Sequence, residues 1–335
     1  MQFCAWHIFF RHYYISHRYL YFIYPKDNFM TKTFSLLVPA VMVATCLFTS
    51  GSAFAADFLV SEGTPDSIEK LLNGVITPFI TNSADLDDPT GLAVDGAGDI
   101  FVANANGDIA KFSSSGGFLG DYGTGQDAPA GMVLDGMGDL YVTDAGDGTV
   151  VEFAKGSSFG STGMVVASGL GTPDDLAFNK GILYVSDGKD NTVDVVAGGI
   201  ATPLIDTHLS DPTGVAFAKT TDDILVVNHD TGQVLKFSPT GKYLGVFATD
   251  STPGSELEDI VVGPRGWVYV TDTGTNTILE YNRNGVLKFV RGHKGGLDDP
   301  SYITQYVVPE PSSYSLLVAG LGLLFFLGRV KRAKV

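Results

Sequence analysis

One stretch of sequence recurs along most of this chain at intervals of roughly forty residues. The clearest copies are DPTGLAVDGAGDIFVANANGDIAKF, residues 88–112, and APAGMVLDGMGDLYVTDAGDGTVVEF, residues 128–153. A repeat of this length predicts units that bury their apolar faces against one another. The equivalent positions Pro89, Pro129, Pro173, Pro212, Leu257 and Pro300 lie 40, 44, 39, 45 and 43 residues apart.

Each copy has the pattern of short β-strands separated by turns. In the first copy, apolar or alternating runs at 91–94, 100–102 and 109–112 are divided by Gly- and Asp-rich turns, and 117–122 follows as a more variable fourth run. Four antiparallel strands at this period are typical of a β-propeller blade. A parallel solenoid is less favoured, because its coils repeat at shorter periods and need no hairpin turns.

The last copy, DPSYIT, is truncated, and the segment at the other end of the repeat region supplies what it lacks. Residues 57–62, DFLVSE, match the second-strand sequence LYVSDG, and 67–72 and 75–80 read as two further strands. Joining them leaves no open sheet edge. We therefore predict an all-β, six-bladed β-propeller over residues 56–306, closed by N-terminal strands that pair with the C-terminal strand. Its repeats resemble those of NHL-repeat and related propellers.

The C-terminal 28 residues have three parts in order. The motif Val308, Pro309, Glu310 and Pro311 precedes an apolar run at 314–328, which is followed by Arg329, Lys331 and Arg332. Fifteen helical residues rise about 22 Å, short of the roughly 30 Å core of a bilayer. An ordinary C-terminal membrane anchor is one interpretation of the run.

The three parts together resemble a PEP-CTERM sorting signal. This resemblance implies an exosortase that recognises residues 308–311 and removes the tail, membrane contact through the C-terminal helix before processing, and a Gram-negative-type envelope. It also implies delivery through the inner membrane to the cell surface or extracellular matrix.

The N-terminal region predicts export as well. From Met30 the chain has Lys32, an apolar stretch at 34–48 and Ala53-Phe54-Ala55, which together read as a secretory signal peptide cleaved after Ala55. We interpret residues 1–29 as upstream translation. The predicted division is therefore 1–29, signal peptide 30–55, propeller 56–306 and sorting signal 307–335.

The exported part is strongly acidic. Residues 56–306 contain 13 Lys and Arg against 35 Asp and Glu, a net charge of −22, which argues against nucleic-acid partners. Cys4 and Cys46 both lie outside this region, so no disulfide and no thiol nucleophile is expected in it. The charge fits either a solvated surface or attraction of cations and basic partners.

Two rings of equivalent residues are candidate sites. The ring that ends the second strands is best explained by a repeated Asx-type turn: Glu62, Asn104, Asp144, Asp187, Asn228 and Asp272. The ring that begins the innermost strands varies from copy to copy: Thr90, Ala130, Asp174, Thr213, Glu258 and Ser301.

Within the second ring and its neighbours, Asp174, Asp175, Glu258 and Asp259 bring four carboxylates toward the central channel. Such a cluster is either solvated by water or neutralised by a hard cation, so these residues are candidate ligands of Ca²⁺ or another divalent cation. No cofactor is required by the remainder of the sequence.

Two classes of propeller enzyme are alternatives to a binding protein. The repeats resemble gluconolactonase-type propellers, which implies a divalent metal at the channel. Asp174 and Glu258 match acidic positions there, but Thr90, Ala130, Thr213 and Ser301 do not match ligands. Streptogramin lyases use a channel histidine, and His229 reads as a turn residue. Residues 56–306 contain no Walker or H-E-x-x-H motif.

We therefore assign no catalytic residue and expect a monomeric binding or structural protein whose partner is a cell-surface protein or a polysaccharide. A metal-dependent, lactonase-like hydrolase or a lyase is the alternative.

Overall fold

The computed structural model describes residues 15–16, 19–20, 57–81, 83–292 and 296–306. The chain divides into two compact units, Met1–Ala53 and Phe54–Val335. In the first unit, β1 (Ile15–Ser16) pairs antiparallel with β2 (Tyr19–Leu20). The predicted signal peptide and sorting tail lie outside the described residues. Within the described ranges, no helix is long and apolar enough to span a membrane.

The second unit contains six four-stranded antiparallel sheets, which are the blades of a propeller. The first three strands in the chain are β3 (Asp57–Glu62), β4 (Ser67–Leu72) and β5 (Val75–Thr81). Blade 1 comprises β6 (Pro89–Val94), β7 (Ile100–Asn104), β8 (Ile109–Phe112) and β9 (Phe118–Gly123). Blade 2 comprises β10 (Pro129–Leu134), β11 (Leu140–Asp144), β12 (Thr149–Phe153) and β13 (Met164–Ser168).

Blade 3 comprises β14 (Pro173–Asn179), β15 (Ile182–Asp187), β16 (Thr192–Ala197) and β17 (Ile200–Ile205). Blade 4 comprises β18 (Pro212–Phe217), β19 (Ile224–Asn228), β20 (Gln233–Phe237) and β21 (Tyr243–Thr249). Blade 5 comprises β22 (Leu257–Val262), β23 (Val268–Asp272), β24 (Thr277–Tyr281) and β25 (Leu287–Arg291). Two short 3₁₀ turns, His229–Thr231 and Pro264–Gly266, belong to blades 4 and 5.

Blade 6 joins the two ends of the propeller. Its innermost strand, β26 (Pro300–Tyr306), pairs antiparallel with β3, with Ile303 opposite Val60 and Tyr306 opposite Asp57. The strand order is β26-β3-β4-β5. The predicted six-bladed propeller and its mode of closure are therefore confirmed.

The core is divided among the six junctions between blades. One cluster of buried apolar residues lies in each junction, for example Phe101, Met132 and Phe153 between blades 1 and 2. The middle strands are covered on both faces by neighbouring blades. For this reason Ile224–Asn228 is an uninterrupted buried run rather than an alternating one.

At one position of the inner strands, the blades carry either glycine or a side chain. Gly91, Gly131 and Gly214 occupy it in blades 1, 2 and 4, next to a bulge in the pairing with the second strand. A Cβ on Gly91 would lie 1.9 Å from the Ala130 carbonyl oxygen. Glycine therefore lets adjacent inner strands approach closely. Blades 3, 5 and 6 have Asp175, Asp259 and Tyr302 at this position.

We predict that Gly91→Ala destabilises the propeller by about 1–3 kcal/mol, because the new methyl group would force blades 1 and 2 apart. Thermal unfolding of the purified protein measures the effect. The control is Gly96→Ala in a turn of the same blade, where an added Cβ meets nothing within 4 Å. A Gly96 variant that loses as much stability as the Gly91 variant would contradict the explanation.

Candidate functional site

The ring of residues that ends the second strands has the structural role that its repetition predicts. Asp144 accepts hydrogen bonds from the backbone N–H of Asp147 in its own turn and of Asp127 in the loop before the blade. Asp187 does the same with Asp190 and Thr172. Within the turn, each aspartate thus accepts the N–H group three residues further along the chain, whereas an Asx turn would use the N–H group two residues further. The second bond attaches each turn to the preceding loop, which explains why every blade keeps an acceptor here.

A ring of hydroxyl groups joins the inner strands. Five of the six junctions have a hydroxyl that donates to a carbonyl oxygen of the next blade's inner strand. The pairs are Thr90 with Pro129 at 2.8 Å, Thr143 with Asp174 at 2.6 Å, Thr213 with Glu258 at 2.5 Å, Thr271 with Ser301 at 2.6 Å, and Ser186 with Thr213.

The variable ring at the start of the inner strands is thereby partly explained. In blades 1 and 4, the second strand has Ala103 or Val227 where blades 2, 3 and 5 have a hydroxyl residue. Thr90 and Thr213 on the inner strands supply the missing donor. These two threonines stabilise the ring, and Asp174 and Glu258 are the equivalents that carry charge.

Asp175 and Asp259 also join blades. Asp175 accepts the N–H of Leu176 at 2.7 Å and of Val215, in blade 4, at 2.8 Å. Asp259 accepts the N–H of Ile260 at 2.6 Å and of Ile303, in blade 6, at 2.8 Å. All four carboxylate oxygens are thus used by backbone donors, one of them from the following blade in each case.

The carboxyl groups of Asp175 and Asp259 border the same cavity in the central channel and interact with each other. Burial raises the pKa of Asp175 to about 7, against the effect of its backbone hydrogen bonds. Burial and the charge of Asp175 raise the pKa of Asp259 well above its ordinary value. Two carboxyl groups in contact need a proton or a cation between them, and we predict that this pair shares a proton.

Asp174, in blade 3, and Glu258, in blade 5, lie close enough for the charge of Glu258 to act on Asp174. The Tyr302 hydroxyl donates to Asp174 Oδ1. Burial, and then the charge of Glu258, raise the pKa of Asp174 to about 8. The described residues provide no hydrogen-bond donor to Asp174 Oδ2 or Glu258 Oε1, and these oxygens remain available to a ligand.

His229 also lies beside these acids, a position that the sequence did not predict. Its Nδ1 lies 2.8 Å from the Leu257 carbonyl oxygen and 3.4 Å from Glu258 Oε2. The hydrogen bond to Glu258 raises the pKa of His229 to about 9, although burial opposes the shift. Interpreting His229 as a turn residue is right for the backbone, since it begins a 3₁₀ turn, but that turn places the ring against blade 5.

The metal prediction stays a prediction. Across the described residues, no group of three or more His, Cys, Asp or Glu side chains is arranged to hold a metal ion. Asp175 and Asp259 are occupied by backbone donors, so Asp174 and Glu258 are the members of the predicted set whose oxygens could coordinate a divalent cation. Chemically, the channel mouth offers two acids, a phenol and an imidazolium.

A second candidate site lies at the opposite ends of the strands, between blades 1 and 2. It is a groove of about 740 Å³ between the turn at 95–97, the turn at 135–138 and the loop at 155–157. Phe159 and Met137 stand at its edges with 54% and 70% of their surface exposed.

The floor of this groove is rigid. Tyr122 packs edge-on against Phe101 at 4.9 Å between ring centroids and donates to the Ala154 carbonyl oxygen at 3.0 Å. Lys111 lies 4.8 Å from the Phe101 ring centroid and is 3.5 Å from Asp95. The groove combines aromatic surface with hydrogen-bonding groups. Its residues come from six separate segments of blades 1 and 2, which is why the sequence did not predict it.

Comparison with known families identifies the C-terminal tail. Residues 307–332 match the PEP-CTERM protein-sorting motif. No curated protein matches the chain as a whole.

Solved structures similar to this chain are propellers of different activities. One belongs to a nidogen/laminin complex, at 18% identity and TM-score 0.65, and covers 76% of this chain and 100% of its own. Another is a streptogramin B lyase, at 18% identity and TM-score 0.56, and the match covers 75% of this chain and 84% of the lyase chain. A third is a putative gluconolactonase, at 16% identity and TM-score 0.54, and the match covers 65% of this chain and 81% of the gluconolactonase chain. At these identities the likeness shows the fold.

The buried acid pair predicts a pH-dependent stability. The pKa of Asp175 is about 7 in the fold, above the value near 3.9 of an unfolded chain. The contribution of Asp175 to the free energy of unfolding is therefore complete below about pH 4 and is lost as pH rises through 7. We expect the melting temperature of the wild type to fall from pH 5 to pH 8. The melting temperature of Asp175→Asn should fall less over the same range.

The Asn side chain keeps an acceptor for one of the two backbone N–H groups that Asp175 binds. We therefore expect the variant to be less stable at every pH, and the readout is the pH slope of its melting temperature. Asp206→Asn, an exposed acid, is the control and should follow the wild type. Parallel pH profiles for Asp175→Asn and the wild type would show that the pair shares no proton.

Proposed function

We propose that this exported propeller is a non-catalytic binding protein of the cell surface or extracellular matrix, and that it holds a neutral polysaccharide in the groove between blades 1 and 2. The observation that carries the proposal is the composition of that groove, in which exposed Phe159 lies beside Tyr122 and two lysines.

Sugar rings have an apolar C–H face and a polar rim of hydroxyl groups. A site that matches both needs an aromatic or apolar wall and nearby charged groups that donate and accept hydrogen bonds. Phe159 and Met137 provide the wall. Lys155 provides donors, and Asp95 and Asp135 provide acceptors.

The charge of the propeller favours a neutral rather than an acidic polymer. With a net charge of −22 over residues 56–306, an anionic polysaccharide would be repelled at long range. The ion pair of Lys111 with Asp95 and Asp99, at 3.5 and 3.1 Å, reduces the positive charge of the groove further.

The location follows from the tail. The PEP-CTERM motif at 307–332 implies export and recognition by an exosortase. We propose further that the exosortase of a Gram-negative-type envelope cuts at residues 308–311, so that the apolar run at 314–328 anchors the protein only until it is processed. Pro309 and Pro311 lack the N–H groups that backward extension of a helix through the motif would need.

The alternative function is a hydrolase or lyase at the channel mouth, and the contact of His229 with Glu258 favours it. The charged imidazole of His229 could act as general acid and the Glu258 carboxylate beside it as general base. A divalent cation on Asp174 and Glu258 would make the activity metal-dependent. The likeness to lyase and gluconolactonase propellers is compatible with this alternative.

Affinity electrophoresis through gels that contain amylose, dextran, galactomannan or xyloglucan tests the binding proposal. We expect at least one polymer to retard the purified protein, and Phe159→Ala to weaken that retardation by about tenfold, because the apolar wall is lost. Leu244→Ala, an equally exposed apolar residue on blade 4, should bind as the wild type does.

Retardation by none of the polymers, or equal retardation of the Phe159 variant, would refute the proposal. Turnover of a lactone or a streptogramin that is abolished by Glu258→Gln would support the alternative instead.

Mass spectrometry of the envelope-associated protein tests the processing proposal. In a strain that has an exosortase, we expect the mature protein to lack residues 316–335, and deletion of the exosortase gene to restore them. Replacement of Pro309 and Pro311 by Ala should also leave the tail attached. A tail that is retained in the parent strain would identify it as a permanent anchor.

A further inference from the structure

The aspartate that ends the second strand of blade 5 differs from its equivalents. In blade 3, the two carboxylate oxygens of Asp187 accept the N–H groups of Gly171 and Thr172. In blade 5, Asp272 Oδ1 accepts the N–H groups of Glu256 and Thr275, both at 3.0 Å. Asp272 Oδ2 has no hydrogen-bond partner among the described residues, although the residue is 0% exposed.

The loop before blade 5 places a second acid where the loops before blades 2 and 3 offer a backbone N–H group. Asp250 follows β21, and its carboxyl group lies beside the carboxyl group of Asp272 and the hydroxyl group of Ser255. Asp250 Oδ1 accepts the N–H and the hydroxyl of Thr252, at 2.9 and 2.6 Å. Ser255 Oγ is also buried without a well-formed hydrogen bond.

Two carboxyl groups in contact require a positive charge or a proton between them. Burial works against the charged form of Asp250, but the hydrogen bonds from Thr252 prevail and keep its pKa below the ordinary value. Burial, and then the charges of Asp250 and Asp272, raise the pKa of the Tyr281 phenol well above its usual range. Neither acid takes part in an ion pair with any described lysine, arginine or histidine.

We propose that Asp250, Ser255 and Asp272 form a calcium site that joins the outer strand of blade 4 to the second strand of blade 5. Carboxylate and hydroxyl oxygens are ligands that Ca²⁺ prefers, and water can complete its flexible coordination shell. Three protein oxygens predict weak binding, in the range of about 10⁻⁴–10⁻³ M that suits extracellular modules. The site is distinct from the channel residues Asp174 and Glu258.

Thermal unfolding in EDTA and in 10 mM CaCl₂ at matched ionic strength tests the site. We expect calcium to raise the melting temperature of the full protein by roughly 3 °C. Asp250→Asn should abolish the rise and still fold, because it keeps an acceptor for Thr252. Ser255→Ala should weaken calcium binding severalfold. Asp187→Asn in blade 3 and Glu258→Gln in the channel are matched controls that should keep the full response.

Terbium provides a second measurement that does not depend on stability. Tb³⁺ replaces Ca²⁺ at oxygen sites and emits when a nearby aromatic ring is excited. Tyr281→Phe should therefore reduce the emission and leave the calcium-dependent melting shift in place. Calcium should displace the terbium from the wild type.

Three results would overturn the proposal. The first is a wild type whose melting temperature does not respond to calcium. The second is a response that Asp250→Asn retains. The third is a response that Glu258→Gln abolishes while Asp250→Asn keeps it, which would place the ion at the channel. If Asp250→Asn instead raises the melting temperature in EDTA and the wild type ignores calcium, the two acids share a proton.

Discussion

The antiparallel pairing of β26 with β3 is the interaction on which the rest of the propeller depends. Each blade covers one face of the next, so the apolar strands of blade 6 and blade 1 are buried only when the ring closes. The pairing holds together residues more than 240 positions apart, as in the hydrogen bond from the Tyr302 N–H to Ser61 Oγ. We expect such closure to be slow to form, because a long loop must close before the long-range contacts stabilise it.

Closure also determines how polar groups are used at the centre of the ring. Adjacent inner strands approach closely at Gly91 and Gly131, and hydroxyl groups such as Thr143 join them across the junctions. Asp175 and Asp259 satisfy backbone donors of the next blade. Most of these hydroxyl and carboxyl groups in the channel therefore stabilise the ring. The carboxylates with free oxygens are the ones that differ from the equivalent residues of the other blades.

The same comparison among blades separates structural acids from candidate ligands elsewhere. Asp187 and Asp272 occupy equivalent positions, and only the hydrogen bonds of the neighbouring loop distinguish them. The groove between blades 1 and 2 differs from the channel in another respect, since its floor is part of the core and its edges are exposed side chains. A rigid floor lowers the entropic cost of ligand binding. The propeller thus has a stabilised centre, and the groove proposed to bind a ligand lies at its edge.

The sequence by itself determined the repeat, the four strands of each blade, the closure by residues 57–62 and the sorting motif, because each is a local pattern or a fixed period. It also predicted that Asp174 and Glu258 face the channel. Tertiary structure alone decided that His229 contacts Glu258, that the carboxyl groups of Asp175 and Asp259 meet in the channel, and that Phe159 borders a groove. These contacts cross between blades, and their distances depend on how closely the inner strands pack, which the period of the repeat does not encode.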